Sequence, residues 1–239
     1  MKLLQFITSQ TTYSRRDIVP LITAGKVTLN GVVVDSLTAT IDTQKDRVMV
    51  NGVPVMISSG FLYYKFHKPR NVITTLSDAA GRPDLSRYVR HMPPNLFPVG
   101  RLDRQTTGLL LLTTDGELAN RILHPSHGLE KLYRVTVDHK IRDADCRRLL
   151  EGFFIEDGPV KFSEVERVSD VTVLVSIHEG RNRIVRRSFA ALGYEVTGLQ
   201  RLAVGPILLG KLESGKFQKM TPREVMVLKR SVLMAEPKA

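Results

Sequence analysis

The 239-residue chain contains a single cysteine, Cys146. One thiol excludes an internal disulfide framework and a structural zinc site built from several thiolates, so we expect a reducing compartment. No apolar run approaches the length of a membrane span, and residues 1–7 lack the apolar core of a signal peptide. These absences predict a cytoplasmic protein with no membrane partner, and we expect it to act as a monomer.

The chain also lacks glycine-rich nucleotide-binding loops of the Walker and dinucleotide types, internal repeats and low-complexity tracts. His124 and His127 lie three positions apart, but Pro125 breaks helical spacing and no third metal ligand is evident nearby. We interpret this segment as a loop. The sequence therefore predicts chemistry that runs without a nucleotide, metal or redox cofactor.

Acidic residues are too few to balance the basic ones. The chain has 35 Lys and Arg against 24 Asp and Glu, which gives a formal net charge of +11 and a pI near 9.9. The excess is spread along the chain and is not gathered in a polybasic tail. Such a broad basic surface predicts nucleic acid as the partner, with solubility alone as the alternative explanation.

A polar loop carries Asp103 between Arg101 and Arg104 and runs directly into an apolar strand over residues 109–112. Because adjacent cations favour the charged form of a carboxylate, Asp103 suits a nucleophile or a base better than a proton donor. From the residues alone, Asp103 could also be no more than the partner of an arginine on a loop.

Residues 100–113 (GRLDRQTTGLLLLT) closely resemble the GRLDxxTxGLLLLT signature of the RsuA/RluB family of pseudouridine synthases, which isomerise uridine in ribosomal RNA. The resemblance implies that Asp103 is the essential carboxylate, acting either as nucleophile or as base at the ribose. It also implies that Arg101 helps to displace the target base or binds a flanking phosphate.

Further stretches resemble motifs of the same family in the same order. Residues 67–71 (HKPRN) resemble its KPxG turn, with Asn71 in place of glycine, and we expect the turn to survive because asparagine tolerates positive φ. Residues 130–137 resemble its EKxYxV motif, which implies that Tyr133 stacks on a base extracted from the RNA.

Residues 179–187 resemble the family pattern EGRNRQVRR, with Ile184 in place of glutamine. The resemblance implies that Arg186 is the basic partner that holds Asp103 ionised and aimed. Arginines at a helix start also predict an anion site, so Arg181 and Arg183 are candidate contacts to the substrate. Residues 198–206 resemble the last core motif, which implies that Leu199 forms a wall of the pocket.

Residues before position 50 show helix-start and hairpin signals. Ser14, followed three positions later by Asp17, predicts a capped helix, and Asn30-Gly31 predicts a tight hairpin turn. The SRR and GxVxVNG pattern formed here resembles the RNA-binding domain first known from ribosomal protein S-four. The basic residues expected to contact phosphate are Arg15, Arg16 and Lys26.

Residues 51–60, rich in glycine, proline and serine, predict the end of a hairpin and a linker. We therefore predict an α+β protein with a small S-four-like RNA-binding domain over residues 1–58 and a pseudouridine synthase catalytic domain over residues 61–239. The resemblance implies a mixed, largely antiparallel sheet in the second domain. In that domain we predict one strand over 61–66, one over 130–137 and two strands within 160–177. We predict helices over 117–123, with Asp115 as the cap, and over 142–152, 179–192 and 224–234.

The resemblance implies conversion of uridine to pseudouridine in ribosomal RNA, more in keeping with 23S than with 16S rRNA. Two alternatives are a catalytically inactive RNA-binding protein of ribosome assembly on the same scaffold and a hydrolase that removes the base. The presence of Asp103, Tyr133 and Arg186 argues against the first. The family resemblance argues against the second.

Overall fold

The structure is a computed structural model that describes residues 1–11, 13–56, 60–93, 95–124 and 129–233. Its first part forms α1 (Leu3–Gln10), α2 (Arg15–Thr23), β1 (Val27–Leu29), β2 (Val32–Val33), β3 (Val48–Val50) and β4 (Val53–Pro54). The strands lie in the order β2-β1-β3-β4, and every pair is antiparallel. Both helices share one apolar core with the sheet, formed by Leu3, Phe6, Ile7, Ile18, Ile22, Val27, Val34, Ile41, Val48 and Val50.

The predicted capping box and hairpin turn in this part are confirmed. The Ser14 hydroxyl accepts from the Asp17 backbone N–H at 3.3 Å, and the Asp17 carboxylate accepts from the Ser14 N–H at 2.7 Å. Asn30 and Gly31 both have positive φ, 53° and 84°, as the tight turn between β1 and β2 requires. The resemblance of this part to the S-four domain stays a prediction.

The predicted linker begins with a further hairpin turn, Asn51-Gly52, between β3 and β4. Residues 57–59 lie outside the described residues, so the boundary near residue 58 stays a prediction. Pro125 and His127, considered above as part of a loop, also lie outside them. Among the residues that the structure describes, none of the helices is both long and apolar enough to cross a membrane.

The second part of the chain is built on a nine-stranded sheet. Its first elements are β5 (Tyr63–Lys68), α3 (Ser86–Val89), β6 (Phe97–Pro98), β7 (Thr107–Thr113), α4 (Gly116–Leu123), β8 (Lys131–Val137), α5 (Asp143–Glu151), β9 (Phe153–Ile155) and β10 (Gly158–Val160). The remaining elements are β11 (Glu164–Ser169), β12 (Thr172–Ile177), α6 (Ile184–Ala191), β13 (Val196–Val204), β14 (Ile207–Leu208), β15 (Phe217–Lys219) and α7 (Pro222–Leu233).

The main sheet has the order β11-β12-β8-β13-β7-β5-β15, with β14 paired to β13 and β6 paired to β7, while β9 and β10 form a separate hairpin. All its pairs are antiparallel except β13 with β7, which is parallel. The predicted mixed, largely antiparallel sheet is therefore confirmed.

The parallel pair forms where Gly108 lies against the backbone of Arg201. A Cβ at position 108 would lie 2.2 Å from the Arg201 carbonyl oxygen, and Gly108 has a φ of +104°. Only glycine allows both this approach and this conformation. The contact places β13 directly beside the loop that precedes β7.

Both faces of β7 are buried, which explains its uninterrupted apolar sequence. Leu109 and Leu111 belong to a core with buried side chains of α4 and α7 on one face of the sheet. Leu110 and Leu112 pack with Phe66 on the other face. On this second face, side chains of α5 and α6 join the core of β8, β12 and β13.

Helix α6 begins later than predicted. The predicted helix covered residues 179–192, but the structure starts it at Ile184 because Arg183 adopts a left-handed conformation, with φ 51° and ψ 27°. Arg181 and Arg183 therefore lie in the segment before the helix. The predicted cap of α4 is confirmed, since the Asp115 carboxylate accepts from the Leu118 N–H at 3.0 Å.

Candidate active site

The backbone around Asp103 is fixed on both sides of the residue. The Thr74 hydroxyl donates to the Leu102 carbonyl oxygen at 2.7 Å and accepts from the Leu102 N–H at 3.1 Å. The Thr106 N–H closes a turn by donating to the Asp103 carbonyl oxygen at 3.0 Å. Asp103 itself is half-buried. Its carboxylate is thus carried on a rigid loop at the start of β7.

The turn after β5 is bonded to this loop. Asn71 has a φ of 66°, which confirms that asparagine takes the conformation expected for glycine here. Its N–H donates to the Arg104 carbonyl oxygen at 2.7 Å. The neighbouring Arg70 side chain donates through Nε to Oε1 of Gln105 at 2.8 Å. The two segments that resemble separate family motifs therefore meet next to Asp103.

Lys68, the last residue of β5, is a buried cation that the sequence reasoning did not single out. Its side chain is fully buried, and Nζ donates to the carbonyl oxygens of Pro69 and Val72 at 2.8 Å each. Burial lowers the pKa of Lys68 to about 8, and the negative charge of Asp103 opposes this shift.

Arg186 reaches the same loop from α6. Its Nη2 donates to the Gln105 carbonyl oxygen at 3.3 Å, and its Nη1 donates to the Val196 carbonyl oxygen at 2.8 Å. Burial lowers the pKa of Arg186, the positive charge of Arg183 acts in the same direction, and the charge of Asp103 opposes both. Lys68 and Arg186 thus place two partly or fully desolvated positive charges near the Asp103 carboxylate.

Asp103, Lys68 and Arg186 together form the Asp103 cluster. Tyr133 and Leu199 lie on the sheet face that carries this cluster. In the β8–β13 register, Tyr133 is opposite Arg201 and Val135 is opposite Leu199, so alternate residues put both side chains on one face. Tyr133 is half-buried between two apolar cores, and Leu199 is buried in the core to which α6 also contributes side chains. The Thr107 hydroxyl donates to the Leu199 carbonyl oxygen at 3.4 Å, which ties this strand to the start of β7.

Two of the predicted RNA contacts lie exposed around the cluster. Arg101 is exposed two residues before Asp103. Arg183 is exposed at the start of α6, near enough for its charge to act on Arg186. Ile184, which replaces a family glutamine, is 5 % exposed and packs in the core, so this departure substitutes an apolar contact for a polar one.

Arg181 is engaged elsewhere. Its Nη1 donates to the carbonyl and carboxylate oxygens of Asp157 at 2.8 and 3.0 Å, and its Nη2 donates to Glu179 at 3.0 Å. It therefore fastens the β9–β10 hairpin to the segment before α6 and does not point its charge at Asp103. The predicted contacts of the N-terminal part are exposed: Arg15, Arg16 and Lys26.

Within the described residues, the structure brings together no group of three or more His, Cys, Asp or Glu side chains that could hold a metal ion.

Comparison with known proteins decides the family. Residues 63–191 match the family described as RNA pseudouridylate synthase, a segment that includes Asp103, Tyr133 and Arg186. The chain belongs to this family. It is an RNA pseudouridine synthase, as the resemblance of residues 100–113 predicted.

Individual relatives of this synthase match it over most of their length. It is 38% identical over 95% of its chain to an "Uncharacterized RNA pseudouridine synthase" of Aquifex aeolicus (strain VF5), covering 93% of that protein. It is 37% identical to the "Ribosomal large subunit pseudouridine synthase B" of Bacillus subtilis (strain 168), covering 90% of each chain. A solved structure described as "Crystal structure of pseudouridylate synthase" superposes with a TM-score of 0.68 at 30% identity, over 95% of this synthase and 99% of that chain.

Proposed function

We propose that this synthase isomerises a specific uridine of ribosomal RNA, and that the RNA is 23S. Three observations support the proposal. The motifs along the chain resemble those of the RsuA/RluB family, the Bacillus subtilis relative is named for the large ribosomal subunit, and the net charge of +11 suits a polyanionic substrate.

We propose Asp103 as the catalytic carboxylate. The observation that carries this assignment is the arrangement of Lys68 and Arg186 about its fixed loop. Two nearby cations attract and orient a carboxylate, as a nucleophile or a base at a fixed position requires. Either role at the ribose is compatible with this geometry, because both need an ionised oxygen held in one position.

Arg186 and Lys68 act in this proposal by positioning and charge. Arg186 fixes the loop backbone from one side, and Lys68 ties the end of β5 to the turn that bonds the loop from the other side. A charge held in place before the reaction does not need to reorganise during it.

Tyr133 and Leu199 would receive the target base. The reaction detaches uracil from the ribose, turns it and rejoins it through carbon, so the base must be held while it is free. A half-buried ring offers a flat surface for a base taken out of its stack. The buried Leu199 side chain would close the pocket on the side of α6.

The remaining contacts would be to phosphate. Arg101 and Arg183 flank the cluster with exposed guanidinium groups, and the N-terminal domain, proposed to span residues 1–58, would add Arg15, Arg16 and Lys26. A phosphate contact by Arg181 requires exchange of its Asp157 and Glu179 partners. Its contribution to RNA affinity should therefore be smaller than that of Arg183.

Pseudouridine mapping in ribosomal RNA from cells with and without the gene tests the proposed substrate. The expected result is one or a few 23S positions that lose pseudouridine when the gene is absent. A change confined to 16S would contradict the assignment to 23S, and no change in either RNA would contradict ribosomal RNA as the substrate. A purified enzyme that leaves abasic positions would support the hydrolase, because isomerisation leaves the RNA mass unchanged.

A further inference from the structure

We propose that the Thr106 hydroxyl and Nε of Arg186 form a donor pair that binds a carbonyl oxygen of the target uracil while the base is detached from the ribose. The proposal rests on the proposed function, because it assumes a uridine at Asp103. It assigns Thr106 a contact to the substrate and gives Arg186 a second task beside the positioning of the loop.

The two atoms share a property that sets them apart. Across the described ranges of the chain, they are the buried side-chain nitrogen and oxygen atoms that have no hydrogen-bond partner. Thr106 is only 2% exposed, so its hydroxyl is shielded from solvent. Burying a polar group without a partner costs stability, and such groups are uncommon in native proteins. Two of them on residues that meet at one peptide group point to a polar ligand at this part of the Asp103 loop.

The guanidinium group of Arg186 and the backbone of Thr106 meet at one peptide group. The carbonyl oxygen of Gln105 accepts from Nη2 of Arg186 at 3.3 Å, and the N–H of the same peptide, on Thr106, donates to the Asp103 carbonyl oxygen at 3.0 Å. Nη1 of Arg186 is fixed by the Val196 carbonyl oxygen at 2.8 Å. Each terminal nitrogen has one of its two N–H groups engaged in this way, and Nε is the guanidinium nitrogen that has no partner.

The chemistry of the pair selects the partner. An arginine Nε–H can only donate, so a group shared with the Thr106 hydroxyl must be an acceptor. A phosphate would bring a full charge into a buried position where the guanidinium charge already faces Asp103, which is unfavourable. A neutral carbonyl oxygen avoids this cost. The ribose stays tethered by the RNA chain throughout the reaction, whereas the base becomes free and needs a hydrogen bond to hold it.

Thr106→Val and Thr106→Ser provide the matched test. Valine keeps the shape of threonine and removes the hydroxyl, whereas serine keeps the hydroxyl. In single-turnover reactions on a ribosomal RNA transcript, we expect Thr106→Val to slow pseudouridine formation by about tenfold, the loss of one hydrogen bond in the transition state. Thr106→Ser should remain within about threefold of wild type, and the Kd for RNA should be the same for all three proteins. The Tm of Thr106→Val should equal or exceed that of wild type, because an unpaired buried hydroxyl has been removed.

Transcripts made with 2-thiouridine or 4-thiouridine triphosphate identify the contacted atom, since sulfur is a weak acceptor. On one of the two transcripts, the rate ratio of wild type to Thr106→Val should shrink toward one. A ratio that persists on both would overturn the contact to uracil. A wild-type rate combined with a lower Tm in Thr106→Val would show that the hydroxyl is structural and would overturn the proposal altogether.

Failure of the proposed function is separable from failure of this inference. Wild-type enzyme that converts neither 23S nor 16S transcripts would contradict the substrate. The valine and serine variants would then be compared on total RNA from cells that lack the gene. Equal rates for wild type and Thr106→Val on that RNA would overturn the donor pair whatever the substrate is.

Discussion

Gly108→Ala should break the contact that brings β13 to the Asp103 loop. The added Cβ would lie 2.2 Å from the carbonyl oxygen of Arg201 and 2.6 Å from its nitrogen. Both are backbone atoms, so a change of rotamer cannot relieve the overlap and the strands must separate. The positive φ costs a residue with a side chain about 1–2 kcal/mol, and overpacking adds about 1–3 kcal/mol. The sum of about 2–5 kcal/mol corresponds to a Tm lower by roughly 4–20 °C for a protein of this size.

Gly193→Ala is the matched control for this prediction. Gly193 has nearly the same conformation, with a φ of +93°, but an added Cβ there would meet nothing within 4 Å. It should therefore show only the conformational cost of about 1–2 kcal/mol. Calorimetric Tm values and pseudouridine formation at a temperature where both variants are folded separate the two effects. Equal Tm values for the two variants would refute the close approach of β7 and β13, and with it the structural argument for the site.

Three further predictions concern the site and its RNA. Asp103→Asn should lower single-turnover pseudouridine formation by about a thousandfold or more while Tm and RNA affinity change little; activity within about tenfold of wild type would rule out Asp103 as the catalytic group. Arg15→Ala with Arg16→Ala should flatten the plot of log affinity for ribosomal RNA against log salt, by about 0.7–0.9 for each phosphate that the variant no longer binds; an unchanged slope would show that neither residue contacts phosphate. Because burial lowers the pKa of Lys68 to about 8, Lys68 should lose the positive charge that faces Asp103 as the pH rises through about 8, and activity should fall with it. The pH–rate profile of Lys68→Met should lack this alkaline limb. Lys131→Met should retain it, although burial also lowers the pKa of Lys131 to about 8, because Lys131 bonds to the Leu129 and His178 carbonyl oxygens and not to the turn beside Asp103.

Features that depend on neighbouring residues could be predicted from the sequence. The capping box of Ser14 and Asp17, the Asn30-Gly31 turn and the Asp115 cap each need only residues a few positions apart. Helix α1 was missed because its first residue follows Lys2, whose side chain does not cap the helix. Its apolar residues extend over too few turns for their period to stand out.

Features that depend on distant residues could not be predicted. The predicted start of α6 was wrong because Arg183 adopts a left-handed conformation. That conformation follows from the way the preceding segment is held, including the bonds of Arg181 to Asp157, which lies 24 positions away. Lys68 was not singled out because a lysine is expected on the surface, and only the packed structure shows that its charge is buried. The family resemblance supplied candidates such as Arg186, but its approach to Gln105 joins residues 81 positions apart.

The parallel pairing of β13 with β7 also sets the order in which the enzyme can become active during its synthesis. The bond from Thr107 to Leu199 spans 92 positions, so the loop that carries Asp103 meets its neighbouring strand only after residue 199 has left the ribosome. The core of the N-terminal part draws on residues 3–55 alone and can form much earlier. A nascent chain should therefore be able to bind RNA before it can modify it, and contacts this distant in sequence should make completion of the active site the slow step of folding.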